Sequence, residues 1–295
     1  MQEKIDSGGI PNLGNTCYLN AGLQIIAKLY PDTFDGQQSP LAIAGRAIID
    51  KIKDDKDHVT VEEAQAFYDS FLNLFGDRHR RNTQEDAEEC LSGLLKDRVV
   101  HPDSIWARMI STKGIVHKYG SWKEEESFSA APLRSFLPGK SYITMQDCLR
   151  YDFEDKHFVG EHQYDDPQLG KVDAVRQSRL LINRDSPIPL YIQARRFTNT
   201  GRKNRKDING ALNLTVPANI QYAPNGGAND LDYHLQGFVM HIGPTKDLGH
   251  YVAYIKQKGT GQWRVYNDTK TLGVTQKHAA EQAKQAFLYF YKKAN

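Results

Sequence analysis

Cys17 is the first residue that could do chemistry, because it follows a glycine-containing turn at residues 12–16 and begins an apolar repeat. A thiol in the first turn of a helix faces unpaired backbone N–H groups and the positive end of the helix dipole, and both favour the reactive thiolate. Asn15 and Thr16 are good N-cap residues. The apolar residues after the cysteine have the spacing of one buried helix face: Leu19, Leu23, Ile26 and Tyr30. A small buried packing residue would suit the same position, so this segment alone leaves both interpretations open.

His250 could supply the base that a cysteine nucleophile needs, and it lies between Gly249 and Tyr251 at the start of a predicted strand. Seventeen residues further on, Asn267 and Asp268 follow the partner strand of a predicted hairpin. Such a hairpin would bring a carboxamide or carboxylate to the imidazole and orient its ring. Two ordinary turns have the same residue types, and without Cys17 the pattern would favour turns.

The elements that must position these residues change from helices to strands along the chain. Ser39 followed by Pro40 predicts a helix that continues to about Ile52. Capping boxes at residues 60–63 and 83–86 predict two further helices. Strands are predicted later, at residues 188–193, 212–216, 251–256, 263–266 and 287–291. Helices first and strands later predict an α+β fold.

Composition excludes several classes of protein. The 295 residues carry a formal net charge of +2, which argues against a general binder of nucleic acid or anionic membranes. No stretch approaches the ~18 apolar residues of a membrane span, so neither a signal peptide nor an anchor is expected. The 3 cysteines form no close pairs, which favours a reducing compartment. We expect a cytoplasmic protein, with the nucleus, or the host cytosol for a pathogen effector, as alternatives.

Five segments with recognisable motifs occur in order along the chain. They are NLGNTCYLN from residue 12, QEDAEECL from residue 84, PLYIQARRF from residue 189, GHYVAY from residue 249 with YND at residues 266–268, and AFLYFY from residue 286. Together they resemble the boxes of the ubiquitin-specific protease family of deubiquitinases. The third segment departs from the family pattern because Gln193 replaces a histidine.

The resemblance implies a papain-like cysteine protease fold, α+β, in a single catalytic domain over residues 1–295. A helical thumb would take about residues 1–100, a mixed segment with small fingers about 101–180, and a β palm with the histidine box about 181–295. Thumb and palm would enclose the catalytic cleft, and the fingers would hold the ubiquitin globule.

The resemblance also implies a role for each residue of the site. Cys17 would be the nucleophile, His250 the general base and Asn267 the third member of the triad. Asn12 would donate a hydrogen bond to the oxyanion, and Asp268 is a second polar residue that could assist.

Recognition of the basic ubiquitin tail is assigned to Asp86 and Glu89, which lie three residues apart on one helix face. Tyr251 would help to wall a channel that admits only glycines. The alternatives are that Asp86 is the third-position acid of the Thr83 capping box and that Glu89 lies on a solvated face.

The chain departs from many family members because it lacks the two pairs of zinc-binding cysteines in the fingers, so no metal and no cofactor are expected. His157 and His162 could bind metal but are more simply explained as solvated surface. Cys90 occupies an apolar core position and Cys148 has no motif. The middle segment would then be stabilised by apolar packing of its aromatic residues: Trp106, Trp122, Phe128, Phe136 and Phe153.

The function implied is hydrolysis of the isopeptide bond after the C-terminal Gly-Gly of ubiquitin. The partners would be ubiquitin or ubiquitin-conjugated proteins, with no nucleic acid and no membrane, and the protein would be a monomer. The alternatives are a catalytically weak ubiquitin-binding module, a protease for another ubiquitin-like modifier, and a papain-like enzyme with other acyl chemistry. A basic run at residues 195–206 is interpreted as a solvated loop between two strands.

Overall fold

The computed structural model describes residues 5–77, 79–95, 103–111, 116–119, 133–135, 143–166, 169–182, 190–197, 201–221, 228–245 and 248–294. Its α-helices are α1 (Cys17–Leu29), α2 (Pro40–Ile52), α3 (Val61–Phe75), α4 (Ala87–Leu95), α5 (Met145–Phe153) and α6 (Gln276–Ala283). Two short 3-10 helices cover Gly160–His162 and Ala218–Ile220. The first eight strands are β1 (Asp103–Ser111), β2 (Val116–Tyr119), β3 (Leu133–Ser135), β4 (Ile143–Thr144), β5 (Lys156–Phe158), β6 (Tyr164–Asp166), β7 (Gly170–Val172) and β8 (Ala174–Ile182). The others are β9 (Leu190–Ala194), β10 (Ile208–Asn209), β11 (Asn213–Val216), β12 (Leu231–Thr245), β13 (Leu248–Lys256), β14 (Trp263–Asn267), β15 (Lys270–Val274) and β16 (Leu288–Lys293).

Helix α1 lies in the interior, since every residue from Cys17 to Ala27 is buried. It packs against α2 and α4 on one side and against β13 on the other. A helix that is apolar almost all round is the kind that a larger core surrounds. The predicted helix at Cys17 is therefore confirmed.

The N-termini of α2 and α3 are fixed by the caps that the sequence predicts. Ser39 accepts a hydrogen bond from the N–H of Ala42 at 3.2 Å, with proline at the next position. Thr60 and Glu63 form a reciprocal capping box, with bonds of 3.3 and 2.9 Å. Both helix starts are confirmed because capping depends on residues that are neighbours in sequence.

The main sheet has the strand order β15-β14-β13-β12-β16-β9-β3, with β11 also paired to β12. Its pairs are antiparallel except for β3 with β9. The predicted strands and the β13–β14 hairpin are confirmed in the residues that the structure describes. This hairpin carries His250 and Asn267, so the sheet determines their separation.

Apolar cores cover both faces of the main sheet. Tyr251, Ala253 and Ile255 of β13 face the core shared with α1 to α4, whereas Val252 and Tyr254 face the core shared with α5 and α6. Because both faces are buried, β13 is apolar at consecutive positions rather than alternately.

The middle segment forms a separate antiparallel sheet in the order β2-β1-β8-β5. Together with the helices and the main sheet, it confirms the α+β class. Of the predicted aromatic anchors, Phe153 is buried on α5. Trp122, Phe128, Phe136 and the side chain of Trp106 lie outside the described residues. The division into thumb, fingers and palm stays a prediction.

The solvated-loop interpretation of residues 195–206 is wrong for Arg196, which is 0% exposed. Its guanidinium donates to the carbonyl oxygens of Ala286 at 2.5 Å, Lys284 at 2.6 Å and Lys206 at 2.8 Å. A buried charge is tolerated when such acceptors surround it, which neighbouring residue types do not reveal. Within the part of the chain described, no helix is long and apolar enough to cross a bilayer.

Candidate active site

Cys17 is the first residue of α1, and its side chain is buried against the sheet. The turn before it needs two left-handed residues, Gly14 at φ 92° and Asn15 at φ 58°, and glycine and asparagine are the types that adopt this conformation most readily. Thr16 occupies the N-cap position as predicted, but its hydroxyl does not cap the helix. It accepts the N–H of Leu13 at 2.9 Å and so closes the turn instead.

His250 lies between Cys17 and Asn267 and interacts with both. Its Nε2 lies 2.6 Å from Oδ1 of Asn267, and a side-chain hydrogen bond also links the ring to Cys17. The β13–β14 pairing creates this contact, because Ala253 is opposite Tyr266 and the strands continue to His250 and Asn267. The three residues predicted for the triad are thus brought into one chain of hydrogen bonds.

The hydrogen bond with Cys17 is the largest cause that raises the pKa of His250, which reaches about 9. Burial opposes this rise, while the bond with Asn267 and the charge of Asp268 add to it. The ring therefore carries its proton at neutral pH, next to the sulfur. By contrast, burial raises the pKa of Cys148 to about 12 and that of Cys90 well above its ordinary value. Neither of these thiols is suited to nucleophilic attack.

Asn12 is oriented by bonds at both ends of its amide. Its Oδ1 accepts the N–H groups of Gly14 at 3.0 Å and Thr16 at 3.1 Å, and its Nδ2 donates to Oδ2 of Asp268 at 2.8 Å. Because donors surround one end and a carboxylate the other, the amide has one favourable orientation. One Nδ2 proton is used by Asp268, and the second is available to an oxyanion.

Asp268 lies nearer to Asn12 and Asn20 than to the imidazole of His250. It is the first residue of the two-residue turn between β14 and β15, with φ 49°, a conformation that aspartate tolerates. Its Oδ1 accepts from Asn20 at 2.7 Å, whereas its Oδ2 is 3.9 Å from Nε2 of His250. The geometry thus favours Asn267 as the partner of the ring and places Asp268 on the Asn12 side.

Two residues near the site were not identified from the sequence. Asn20 is buried on α1 and joins Asp268 to the backbone of Pro11, at 2.7 and 3.3 Å. Its only sequence signal is a polar residue in an apolar helix. His241 is fully buried, and neither ring nitrogen has a hydrogen-bond partner among the described residues. Burial is the largest cause that lowers its pKa to about 4, so this ring is neutral.

Asp86 caps α4 rather than lying inside it, so the predicted Thr83 capping box is wrong. The helix begins at Ala87, and the Asp86 carboxylate accepts the N–H of Glu88 at 2.7 Å. Burial raises the pKa of Asp86 to about 7, although hydrogen bonds from the backbone N–H groups of Glu88 and Glu89 oppose the rise. Glu89 is exposed on the next turn. Both carboxylates lie near Tyr251 and influence its titration.

Tyr251 is 1% exposed and packs edge-on against His241, with ring centroids 4.8 Å apart. Its hydroxyl bonds to the backbone of Ala87 at the start of α4. This residue therefore connects the acidic start of α4 to the surroundings of Cys17. Its role as a channel wall stays a prediction.

Metal ligands do not cluster in the described part of the chain, where no group of three or more histidine, cysteine, aspartate or glutamate residues could hold an ion. His157, on the edge strand β5, and His162, at the end of the 3-10 helix Gly160–His162, are both exposed.

In the papain-like cysteine proteases, a cysteine thiol shares its proton with an imidazole that is hydrogen-bonded to an amide. Here the cysteine lies on a helix and the imidazole and amide lie on the sheet, and the fold agrees with that class. The family model described as ubiquitin carboxyl-terminal hydrolase matches residues 8–291. The chain belongs to this family, and the resemblance to the ubiquitin-specific proteases is confirmed.

Relatives of known name agree with this assignment. The chain is 24% identical to ubiquitin carboxyl-terminal hydrolase 25 of Arabidopsis thaliana, over 97% of this chain and 47% of that protein. It is 26% identical to probable ubiquitin carboxyl-terminal hydrolase 8 of Schizosaccharomyces pombe, over 96% of this chain and 64% of that protein. The chain thus spans about half to two thirds of the length of these two relatives.

The fold is similar to that in the structure of the SAGA Ubp8/Sgf11/Sus1/Sgf73 DUB module bound to ubiquitin aldehyde. The TM-score is 0.71 at 17% identity, and the match covers 100% of this chain and 71% of that chain.

Proposed function

We propose that this protein is a thiol-dependent deubiquitinase that hydrolyses the isopeptide bond after the C-terminal Gly-Gly of ubiquitin. The observation that carries the proposal is the hydrogen-bond chain from Cys17 through His250 to Asn267, with 2.6 Å between the ring and the amide. The SAGA module with the similar fold was solved with ubiquitin aldehyde, which supports ubiquitin as the modifier.

The reaction would begin when the sulfur of Cys17 attacks the carbonyl carbon of the terminal glycine while the thiol proton resides on His250. The oxyanion would accept the backbone N–H at the start of α1 and the second Nδ2 proton of Asn12. In other enzymes, loss of one such donor costs about 10²–10³-fold in rate. His250 then gives its proton to the departing lysine amine, and afterwards activates a water molecule that hydrolyses the thioester.

The ubiquitin tail would reach Cys17 along the acidic start of α4. Asp86 and Glu89 provide carboxylates for its basic residues, and Tyr251 links this part of α4 to the cysteine. A guanidinium paired with Asp86 would favour the ionised carboxylate, which burial otherwise disfavours near neutral pH.

Labelling with ubiquitin that carries a C-terminal propargylamide tests the proposal. We expect one covalent adduct with the wild-type chain and with Cys148→Ala, but none with Cys17→Ala. Cys148 is the matched control because it is a buried free thiol outside the site. Binding of ubiquitin without an adduct would favour the non-catalytic module, and preferential labelling by a SUMO probe would favour another modifier.

We further propose that the protein works as a monomer in a reducing, cytosol-like compartment. All three cysteines are free thiols, and the nucleophile has to remain reduced to react.

A further inference from the structure

A groove opens beside the catalytic residues, and its wall includes Asn12, Asn267 and Asp268. Its volume is about 920 Å³, within the range of about 300–1,000 Å³ that is typical of sites for small ligands. The groove is therefore continuous with the reaction centre and large enough for a few residues of a peptide.

The rest of the wall combines apolar and charged side chains. Val61, which is 40% exposed, and the half-buried Ile5 provide apolar surface. Glu62, from the first turn of α3, and Lys270, from the start of β15, are both exposed. A lysine in a peptide would match this mixed wall, because its side chain has apolar methylene groups and the residues beside it can be polar.

The position of the groove indicates which part of a substrate it would hold. The ubiquitin tail is expected along α4, whereas α3, residues 11–12 and the β14–β15 turn line the groove. The acyl group and the departing amine lie on different sides of the carbonyl carbon in the reaction. Because the ubiquitin tail would occupy the α4 side, this groove, which other elements line, would lie on the side of the departing amine.

We propose that this groove binds the lysine-bearing segment of the conjugated protein, and that Glu62 and Lys270 select the charge of the residues beside that lysine. This assignment rests on the proposed deubiquitinase function.

The proposed charge selection rests on two side chains of opposite charge in the same groove, Glu62 from α3 and Lys270 from β15. Glu62 makes no hydrogen bond or ion pair with another described residue, and its exposed carboxylate can meet a basic side chain. Exposed ion pairs are weak, so each charge should change the preference by about twofold to fivefold. The effect should shrink as salt is added.

Two substrates test the proposal. Each is ubiquitin joined through its terminal glycine to the central lysine of a pentapeptide, flanked by arginines in one and by aspartates in the other. The measured quantity is the ratio of kcat/KM for the arginine peptide to that for the aspartate peptide. Glu62→Arg should lower this ratio by about fivefold and Lys270→Glu should raise it by a similar factor.

Glu281→Arg is the matched control, because it makes the same charge change at an exposed position of α6 outside the groove and should leave the ratio unaltered. Glu62→Gln disturbs the helix start less and should lower the ratio by a smaller factor. Equal shifts for Glu281→Arg and Glu62→Arg, or no shift for either groove variant, would contradict the groove assignment alone. Failure of the wild type to cleave either substrate would contradict the deubiquitinase function itself.

Discussion

Two neighbours raise the pKa of His250 and so keep its ring protonated, namely the sulfur of Cys17 and the amide oxygen of Asn267. The amide adds no charge to a site that must also accept an oxyanion. An asparagine would therefore suffice as the third member of the proposed triad.

The pKa of His250 should set the alkaline limit of activity. We expect kcat/KM for ubiquitin-aminomethylcoumarin to fall above pH of about 9, as the imidazolium loses its proton. Asn267→Ala removes a bond that raises this pKa, so the fall should move to lower pH. An unmoved profile in Asn267→Ala would contradict the assigned partner.

The same shift affects stability in a defined pH window. Since the pKa of His250 is raised from 6.5 in the folded protein, its contribution to the free energy of unfolding is fully present below about pH 6.5 and is lost as the pH rises through about 9.

Asn20 should act as a positioning residue for the oxyanion side of the site. Asn20→Ala removes the 2.7 Å bond to Asp268, which in turn holds Asn12. We expect kcat to fall about tenfold, with KM and the alkaline limit unchanged, because only the oxyanion donor is misplaced.

Gln24→Ala is the control for Asn20→Ala. It deletes another buried amide of α1, one that bonds to Gly8 and not to Asp268. If both variants lowered kcat equally, the effect of Asn20 would be general destabilisation of the helix.

At the scale of elements, one substitution can separate the capping role of Asp86 at the start of α4 from its proposed binding of the ubiquitin tail. Asp86→Asn keeps a capping residue but removes the charge, so KM should rise while Tm stays the same. A charge-assisted pair contributes ~1.5–3 kcal/mol, which corresponds to a rise of about tenfold to a hundredfold.

Asp86→Ala should raise KM and also cost about 1 kcal/mol of stability through the lost cap. A wild-type KM that increases as the pH falls below about 7 would agree with ionised Asp86 as the binding form. An unchanged KM in Asp86→Asn would leave Asp86 as a cap only.

The corner before His250 tolerates no side chain. A Cβ on Gly249 would lie 2.4 Å from Nε2 of His241 and 2.7 Å from the carbonyl oxygen of Ile242. Gly249→Ala should therefore displace the start of β13 and lower kcat, with a loss of about 1–3 kcal/mol in stability. Gly273→Ala in β15, where the new Cβ meets nothing within 4 Å, is the comparison to measure beside it.

The sequence predicts several elements well because capping and hairpin formation depend on residues that are close together in the sequence. The caps of α2 and α3 and the β13–β14 hairpin each depend on residues within a few positions. The start of α4 was misplaced because two capping residues compete there, and the carboxylate of Asp86 takes the N–H of Glu88 directly. Sequence spacing does not decide between Thr83 and Asp86.

At the scale of the whole molecule, Arg196 joins parts of the chain that meet only in the folded protein. Arg196→Met would remove the guanidinium that donates to the carbonyl oxygens of Lys206 and Ala286, and one of the two donors to that of Lys284. The loss should be at least about 3 kcal/mol in the free energy of unfolding by urea. Arg195→Met, at the exposed neighbouring position, should cost far less, and similar losses for both would contradict this role.

The contacts of the site between residues far apart in the sequence could not be predicted from the sequence alone. Asn12 and Asp268 were both identified as candidates, but their direct bond spans 256 positions. The bond of Asn20 to Asp268 spans 248. The family motifs indicated which residues matter, and only the fold shows that Asp268 serves the asparagines more directly than the imidazole.

The backbone of residues 6–10 lies along the turn between β14 and β15, which is far from it in the sequence. Asp6 and Ile10 donate backbone hydrogen bonds of 2.9 Å to the carbonyl oxygens of Thr269 and Asp268. During synthesis, residues 6–10 must therefore wait for residues 268–269 before these backbone bonds beside the site can form. Contacts of such separation also form slowly in refolding. A growing chain should consequently remain without proteolytic activity until the β14–β15 turn has left the ribosome.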